Sequence, residues 1–257
     1  MKEIKINAGQ LSVVMPAYNE GKNIYHNIER VRAAISKFAD NYEIIVVNDG
    51  SSDNTKEEIL RAEKEMPDIR LVSYSKNRGK GGAIKKGVEA SQGEYIAFLD
   101  ADLDLPPEQL EKYLKQLQGG KVDVVIGSKM HKDSEIDYPF VRRVISFCYY
   151  SMLKILFRLS VKDTQTGIKM FRAKALKSVI GLVKTKGFAY DIEILVALNC
   201  RKYRIMEMPV KLVFGRENGM GRIKFTDIFQ VFADTWKIFW RANVRKDYLK
   251  KTGEISQ

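Results

Sequence analysis

Cysteine and histidine are scarce in this sequence. Its 257 residues include two cysteines, Cys148 and Cys200, and two histidines, His26 and His131. Two cysteines exclude a disulfide scaffold, and their separation excludes a C-x-x-C metal site. Two histidines leave little room for a histidine-based metal cluster or a catalytic triad.

The chain also shows no long linker and no secretory pattern. Its six prolines and 18 glycines are scattered, so we expect a single domain over residues 1–257. No charged segment followed by an apolar stretch and a small-residue cleavage site opens the chain, which predicts a cytosolic protein. Because 45% of the residues are apolar, folding can bury enough surface to offset the entropy of ordering.

Positive charge is concentrated in the second half of the chain. Residues 1–128 hold 18 Lys and Arg against 20 Asp and Glu, a net charge of −2. Residues 129–257 hold 26 against 12, a net charge of +14. This asymmetry predicts an anionic partner for one side of the protein: nucleic acid, an anionic membrane or a phosphorylated substrate. The alternative is that the basic composition only keeps the protein soluble.

The first half alternates short apolar runs with longer helical patterns. This alternation predicts βαβ units and an α/β fold with a mainly parallel sheet flanked by helices. The predicted strands are 11–15, 42–47, 70–74, 95–99 and 122–126, and the predicted helices are 21–38, 54–65, one ending near 91, and 107–117. Such sheets bind ligands at the carboxyl ends of their strands. Polar clusters follow several of these strands, at 19–20, 49, 76–80 and 100–104.

Two stretches of the second half combine apolar residues with cations. Val144–Val161 is about as long as a membrane span, but its central Lys154 and Arg158 argue against spanning. On a helix these cations share one side with Ser151 and Lys162, which is typical of an interfacial helix with a basic face.

The second stretch, Phe225–Arg245, repeats the pattern. Trp236 and Trp240 lie one helical turn apart and cations follow them, a combination typical of a membrane–water boundary. The alternative for both stretches is a helix packed on the sheet or on another subunit, because amphipathic helices ordinarily face a core.

Acidic residues directly follow the fourth predicted strand. Asp100 and Asp102, with Asp104 on the same turn, can converge on Mg²⁺ or Mn²⁺, which prefer oxygen ligands and commonly bridge them to phosphates. Asn77–Gly82, with the sequence N-R-G-K-G-G, precedes a helix, so its glycines, its cations and the helix N-terminus suit a phosphate. It matches neither the Walker A motif nor G-x-G-x-x-G.

Three motifs together resemble one enzyme family. Val14–Glu20 (V-M-P-A-Y-N-E), Val47–Asp53 (V-N-D-G-S-S-D) and Asp100–Asp102 (D-A-D) are similar, in order and spacing over residues 11–130, to the motifs of family 2 glycosyltransferases. The resemblance implies the GT-A fold, a Rossmann-like, mainly parallel sheet flanked by helices. It divides the single domain into a nucleotide-sugar-binding half, 11–130, and an acceptor- and membrane-facing half, 131–257.

The second half resembles the branch of this family that acts on polyprenyl phosphates. Asp163–Gly167 (D-T-Q-T-G), Phe188–Glu193 (F-A-Y-D-I-E) and Lys76–Ala83 look like the pattern of dolichyl-phosphate glucosyltransferases. Arg142-x-x-x-Ser146 and, loosely, Arg216–Arg222 match dolichyl-phosphate mannose synthases.

The resemblance implies a role for each matched residue. The nucleotide-binding set is Pro16, Tyr18, Glu20, Asp49, Lys80 and Asp100; the metal ligands are Asp100, Asp102 and Asp104; the acceptor-phosphate set is Lys129, Arg142, Ser146, Arg216 and Arg222. Asp102 and Asp191 are the catalytic candidates. Asp191 either positions the sugar or acceptor or only begins a helix over 191–198, and Asp163 is expected to hold the loop before Gly167.

The expected activity is inverting transfer of a hexose to a polyprenyl phosphate at the cytosolic face of a membrane, with Mn²⁺ or Mg²⁺ as cofactor. UDP-glucose is the favoured donor, and GDP-mannose is the alternative. A soluble or glycan acceptor is a further alternative, which leaves the basic half unexplained. Nucleic-acid binding is not expected, because it does not explain the acidic turn. A peripheral membrane contact is expected, and a homo-oligomer or a transmembrane partner is left open.

Overall fold

The computed structural model describes residues 10–134, 140–187, 189–212 and 225–250, without the side chains of 140–148 and 225–229. Within these ranges the elements are β1 Leu11–Ala17, α1 Ile24–Ile35, β2 Tyr42–Asp49, α2 Thr55–Glu65, β3 Ile69–Tyr74, α3 Lys80–Ala90, β4 Tyr95–Phe98, α4 Leu110–Gln118, β5 Val124–Ser128, α5 Phe140–Phe157, β6 Lys169–Arg172, α6 Ala173–Ile180, α7 Tyr190–Cys200, β7 Ile205–Pro209 and α8 Phe225–Phe239. A π-helical turn, Trp240–Val244, and a 3₁₀ turn, Asp247–Leu249, follow α8.

One sheet runs through both halves of the chain. Its strand order is β3-β2-β1-β4-β6-β5-β7. Every neighbouring pair is parallel except the two pairs made by β6, which lies antiparallel between β4 and β5. The α/β, mainly parallel architecture predicted from the sequence is confirmed.

Helices cover both faces of the sheet and create two apolar layers. The layer on one face is formed by α1, α2 and α4. The layer on the other face is formed by α3, α5, α6, α7 and α8. Because the central strands are buried on both sides, β4 and most of β1 and β5 are continuous apolar runs, as expected for parallel strands under two helical layers.

The observed strands correct the expectations from sequence in two respects. Pro16 does not end β1, which continues to Ala17; pairing with β4 stops at Val14, so the missing N–H of Pro16 is not needed on that side. The strands β6 and β7 were not predicted at all. β6 is only four residues long, and its two apolar residues lie between Lys169 and Arg172, so its pattern gives little indication of a strand.

The stretch predicted as a helix over Val144–Val161 is a helix only as far as Phe157. Arg158 has a φ of 53°, which ends α5, and Val161 is buried beyond it. Arg158 and Lys162 therefore do not continue a basic helix face. This part of the interfacial-helix prediction is wrong.

Side chains of α5 and α8 point both into the core and into solvent. Leu153 and Phe157 of α5 are buried in the second apolar layer, as the packed-helix alternative expects. Five apolar residues of α5, α8 and the π-helical turn stay exposed, and we call this set the apolar face: Ile155, Phe232, Trp236, Trp240 and Val244. In the described residues no helix has the length and apolar character needed to cross a bilayer.

Glu193 of α7 joins the C-terminal segment to the second apolar layer. Its carboxylate is fully buried and accepts hydrogen bonds from the backbone N–H groups of Lys184 and Thr185. It also accepts from the Tyr248 hydroxyl at 2.8 Å and pairs with Arg241 at 2.9 Å. A buried carboxylate needs such partners to offset its desolvation, and they bring residues 241–248 against α7.

Replacing Glu193 should destabilise the protein strongly. Glu193→Ala leaves Arg241 without its buried partner and two backbone donors without an acceptor, so we expect a loss of about 3 kcal/mol or more. The measurement is the free energy of unfolding from urea titration. Glu89→Ala, which breaks an exposed pair with Lys86 on a helix surface, is the control and should change it by less than about 0.5 kcal/mol. Equal losses of unfolding free energy in the two variants would contradict this structural role of Glu193.

Candidate active site

The loops that follow β1 and β2 are tied together at the carboxyl edge of the sheet. The Asn19 backbone N–H donates to Ser51 Oγ at 3.0 Å, and the Asn19 side-chain oxygen accepts from the Ser52 N–H at 2.9 Å. The N–H of the next residue, Glu20, donates to Thr55 Oγ1 at 2.8 Å. The motifs around 14–20 and 47–53 therefore form one connected wall.

Asp49 ends β2 within this wall and is almost fully buried. Its Oδ1 accepts hydrogen bonds from the Tyr74 hydroxyl at 2.7 Å and from the Arg78 N–H at 2.8 Å. The Arg78 guanidinium lies over the Tyr74 ring, 4.7 Å from its centroid. Burial, together with donation to Asp49, raises the pKa of Tyr74 above its ordinary range, so the hydroxyl stays a donor.

The acidic turn follows β4 at the same edge. Its backbone is held from α1, because Asn27 Nδ2 donates to the Ala101 carbonyl at 2.8 Å. Leu103 takes a φ of 54°, which reverses the chain and lets the Asp104 N–H approach Asp102 Oδ1 at 3.4 Å. Asp102 thus lies on a turn that is anchored from a neighbouring helix.

Lys80 brings positive charge to this turn from the first position of α3. Its Nζ lies 2.6 Å from Asp100 Oδ1. Partial burial opposes the charged form of Lys80, but Asp100, Asp191 and Asp102 together raise the pKa of this amine above its ordinary value. Lys80 is therefore a cation at the carboxyl edge, where sheets of this kind bind ligands.

The glycines of the N-R-G-K-G-G loop have a different role from the one expected. The Gly81 N–H donates to the Lys186 carbonyl at 2.9 Å, and a Cβ on Gly81 would lie 2.8 Å from the Thr185 carbonyl oxygen. Gly79, with a φ of 76°, also lies against Lys186. These two glycines permit close packing of the loop on residues 185–186, so the expectation that they admit a phosphate does not hold for them.

The D-T-Q-T-G segment borders the acidic turn on its other side. A Cβ on Gly167 would lie 2.1 Å from Asp100 Oδ2, so the Asp100 carboxylate occupies the space that a side chain would fill. Asp163 braces the segment, because its carboxylate accepts from the N–H groups of Lys129, Gln165 and Thr166. The structural role expected for Asp163 is confirmed.

A buried ion pair lies beneath this edge, and only one of its two residues was identified from the sequence. Asp191, in the first turn of α7, lies with Oδ1 2.6 Å from Lys169 Nζ, and the two residues are 4% and 1% exposed. Burial raises the pKa of Asp191, although Lys169 and Lys80 lower it. The sequence identifies Asp191 as a candidate but not Lys169, because a single lysine beside a few apolar residues does not indicate a buried ion pair.

The acidic turn has the donor chemistry for a hard divalent cation. Burial raises the pKa of Asp102, and repulsion from the neighbouring carboxylates of Asp100 and Asp104 adds to this effect. A divalent cation would relieve that repulsion, and carboxylate oxygens are its preferred ligands. In the described part of the chain no three acidic, His or Cys side chains are already arranged around one metal position. The three-carboxylate metal set is therefore not preassembled, and Asp100, Asp102 and Asp104 stay predicted ligands.

The remaining predicted residues are only partly placed by the structure. Pro16, near the end of β1, is half-buried; in the loop that follows, Tyr18 is exposed and Glu20 is buried. Lys129 follows β5 beside the Asp163 segment and is half-buried. Four predicted acceptor-site residues cannot be placed: the side chains of Arg142 and Ser146 on α5, and all of Arg216 and Arg222, lie outside what the structure describes. Phe188 lies outside it as well.

The family follows from comparison with known proteins. The model of the family described as "Glycosyl transferase family 2" matches residues 12–180, which extend from β1 to the end of α6 and include the acidic turn. The chain belongs to glycosyltransferase family 2. The GT-A architecture expected from the motifs is confirmed.

Two curated relatives of this family 2 chain share one enzyme name with each other. The dolichyl-phosphate beta-glucosyltransferase of Saccharomyces cerevisiae is 31% identical over 219 residues, covering 78% of this chain and 66% of that protein. A dolichyl-phosphate beta-glucosyltransferase of Trichomonas vaginalis is 32% identical over 245 residues, covering 90% of this chain and 72% of that protein. The chain thus spans about two thirds of the length of the yeast relative.

A solved structure shares the fold at lower identity. Glucosyl-3-phosphoglycerate synthase from Mycobacterium tuberculosis, in complex with Mn²⁺ and UDP-glucose, superposes with a TM-score of 0.67 at 19% identity. The match covers 90% of this chain and 78% of that protein. At this identity the likeness concerns the fold alone.

Adding a methyl group at residue 167 should displace the Asp100 carboxylate. In Gly167→Ala the end of the Asp100 side chain must move, while the backbone can stay, so we expect near-native stability. A displacement of about 1 Å at a site of this kind costs up to about a hundredfold in rate, and we expect nucleotide affinity in the presence of Mn²⁺ to fall by about tenfold or more. Gly187→Ala is the matched control, because a Cβ there meets no atom within 4 Å. Unchanged affinity in Gly167→Ala would show that Asp100 does not need this position.

Proposed function

We propose that this family 2 glycosyltransferase moves a hexose from a nucleotide sugar, with UDP-glucose as the favoured donor, to a polyprenyl phosphate with inversion at the anomeric carbon. The observation that carries the proposal is the acidic edge: Asp100 paired with Lys80 beside Asp102, at the carboxyl ends of the strands. The names of the yeast and Trichomonas relatives support the sugar and the acceptor.

The donor is proposed to lie across the wall formed by the two tied loops. Asp49, buried at the end of β2, is assigned to the base, and Pro16, Tyr18 and Glu20 to the sides of the nucleotide pocket. Lys80 is assigned to the diphosphate, because its ammonium already lies at the acidic turn. A divalent metal held by Asp100 and Asp102 would supply further positive charge to the departing nucleoside diphosphate.

With a phosphate as acceptor, the transfer needs no free general base. A phosphate monoester is largely ionised at neutral pH, since its second pKa is about 6, so it can attack the sugar without losing a proton first. Asp191 supports this point, because its carboxylate is buried and held by Lys169. The acceptor instead requires cations, and Lys129, Arg142, Arg216 and Arg222, with Ser146, are proposed to supply its site.

The acceptor's hydrocarbon chain implies a membrane, and we propose that the protein docks at the cytosolic face through the apolar face of α5 and α8. Trp236 and Trp240 are 63% and 53% exposed. Lys154 of α5, Lys237 of α8 and Arg245, directly after the π-helical turn, are exposed as well. Exposed tryptophans with neighbouring cations suit the boundary between headgroups and water.

A transfer assay tests the proposed activity. Purified protein with Mn²⁺ or Mg²⁺, a short polyprenyl phosphate and a panel of nucleotide sugars should form a glycosylated lipid, most rapidly with UDP-glucose. Asp102→Ala should lower turnover at least about tenfold, a barrier increase of about 1.4 kcal/mol. Glu108→Ala, which removes an exposed carboxylate a few residues downstream, is the control and should keep turnover. Transfer with GDP-mannose only would correct the donor, and transfer only to a soluble acceptor would overturn the lipid acceptor.

Vesicle sedimentation tests the membrane contact. The protein should bind anionic vesicles more than neutral ones, and added salt should weaken the binding because surface charges are screened. The double change Trp236→Ser and Trp240→Ser should weaken binding even at high salt, since that part of the affinity is hydrophobic. Leu249→Ser, which removes an exposed apolar side chain outside the apolar face, is the control. Absence of binding to every vesicle would assign the apolar face to a protein contact.

A further inference from the structure

The ammonium group of Lys169 is sealed inside the protein directly below the acidic edge. The residue is 1% exposed, and its neighbours in sheet register, Phe98 and Ile126, are apolar and buried. Its Nζ lies 2.6 Å from Asp191 Oδ1 and donates to the Thr166 carbonyl at 2.5 Å. Lysine is almost never fully buried unless it is paired, so a fully buried lysine at this position is unusual.

Both contacts of Lys169 lead to Asp100. The Thr166 carbonyl belongs to the peptide that precedes Gly167, and the Asp100 carboxylate lies in the space left by the missing Gly167 side chain. The helix that begins with Tyr190 and Asp191 packs against the start of α3, because a Cβ on Gly81, the residue after Lys80, would lie 2.6 Å from Tyr190 Cβ. Lys80 Nζ in turn lies 2.6 Å from Asp100 Oδ1. Asp100 is thus bounded on one side by backbone that Lys169 holds, and on the other by a cation at the helix start that packs beside Asp191.

Charge alternates along this set of residues. Lys169, Asp191, Lys80 and Asp100 are positive, negative, positive and negative in turn, and the set begins in the core and ends at the acidic turn. Two apolar side chains of similar volume would fill the buried end at no loss of stability, as replacement of buried ion pairs often shows. Stability alone therefore does not account for a charged pair at this place.

We propose that the Lys169–Asp191 pair is a positioning device for the donor site, which holds Asp100 and Lys80 in the arrangement that binds a nucleoside diphosphate with its divalent metal. The proposal rests on the donor site proposed above. It assigns neither residue a contact with the reacting atoms, and it gives Lys169 a role that its sequence context does not indicate.

The deciding experiment removes both charges together. Lys169→Met leaves Asp191 buried and unpaired, so that change alone should destabilise the fold. The double variant Lys169→Met with Asp191→Leu replaces the pair by apolar side chains and should recover stability. Calorimetric titration with UDP, with and without Mn²⁺, then gives affinity independently of any acceptor. Lys177→Met is the control, because that ammonium also donates to a backbone carbonyl, of Ser91, but at the end of α3 away from the acidic turn.

We expect the double variant to unfold at the wild-type midpoint or above it, yet to bind UDP in the presence of Mn²⁺ at least about tenfold more weakly, the usual range for residues that orient a metal ligand. Wild-type affinity in the stable double variant would overturn the proposal, because the pair would then serve packing only.

A second variant keeps the test decisive should the double variant not fold. Lys169→Arg retains the charge but places a larger planar group against Thr166 and Asp191. We expect it to fold and to bind UDP with Mn²⁺ more weakly than the wild type, and wild-type affinity would again overturn the proposal.

Nucleotide binding and sugar transfer, both measured on the wild type, separate this inference from the proposed function. A wild-type protein that binds UDP with Mn²⁺ but glycosylates no polyprenyl phosphate would overturn the acceptor and leave the positioning role standing. If the wild type binds neither UDP nor GDP with Mn²⁺, both are wrong.

Discussion

The insertion of β6 between β4 and β5 is the constraint on which the acidic edge depends. Because β6 runs antiparallel to its neighbours, its first residue lies at the edge where the parallel strands end. The segment that enters β6 therefore passes directly beside the turn that leaves β4. Gly167 reaches Asp100 in this way, although more than sixty residues of chain separate the two, and Lys169 holds the peptide next to Gly167.

The same edge receives residues from elements that are distant in the chain. α3 contributes Lys80, α7 contributes Asp191, and α1 holds the turn through Asn27. Charges of opposite sign meet here inside a mainly apolar frame, where the surrounding helices restrict their movement. Preorganised charge of this kind stabilises developing charge more effectively than mobile solvent does.

Much of this arrangement follows from sequence patterns, but not its closest contacts. The parallel strands β1 to β5 were predictable because their apolar runs alternate with helical patterns. Asp100 and Asp102 were identified because two carboxylates at a strand end can converge on a divalent cation and because they complete the set of motifs that resembles family 2 glycosyltransferases. Lys169 was missed because burial of a lysine is decided by α7, which lies far along the chain. Gly81 was misinterpreted for a similar reason: close approach to a phosphate and close packing on a carbonyl favour glycine equally.

The C-terminal half was less predictable still. The apolar residues of α5 were expected on an interfacial helix, but Leu153 and Phe157 face the core while Ile155 faces solvent. A hydropathy pattern does not separate these outcomes, since both require one apolar side. The end of α5 was placed too late because a left-handed residue such as Arg158 is not indicated by its side chain.

The position of β6 also has a consequence for how the chain reaches its native state. Until residues 169–172 have been synthesised, β5 has no partner through which it can join β4, so the first 130 residues cannot complete their own sheet. β7 then adds to β5 from still later in the chain. Contacts between such distant segments slow folding, because a long loop must close before they form. During synthesis the nascent chain therefore exposes an incomplete sheet edge, and unpaired strand edges of this kind are where association with other chains begins.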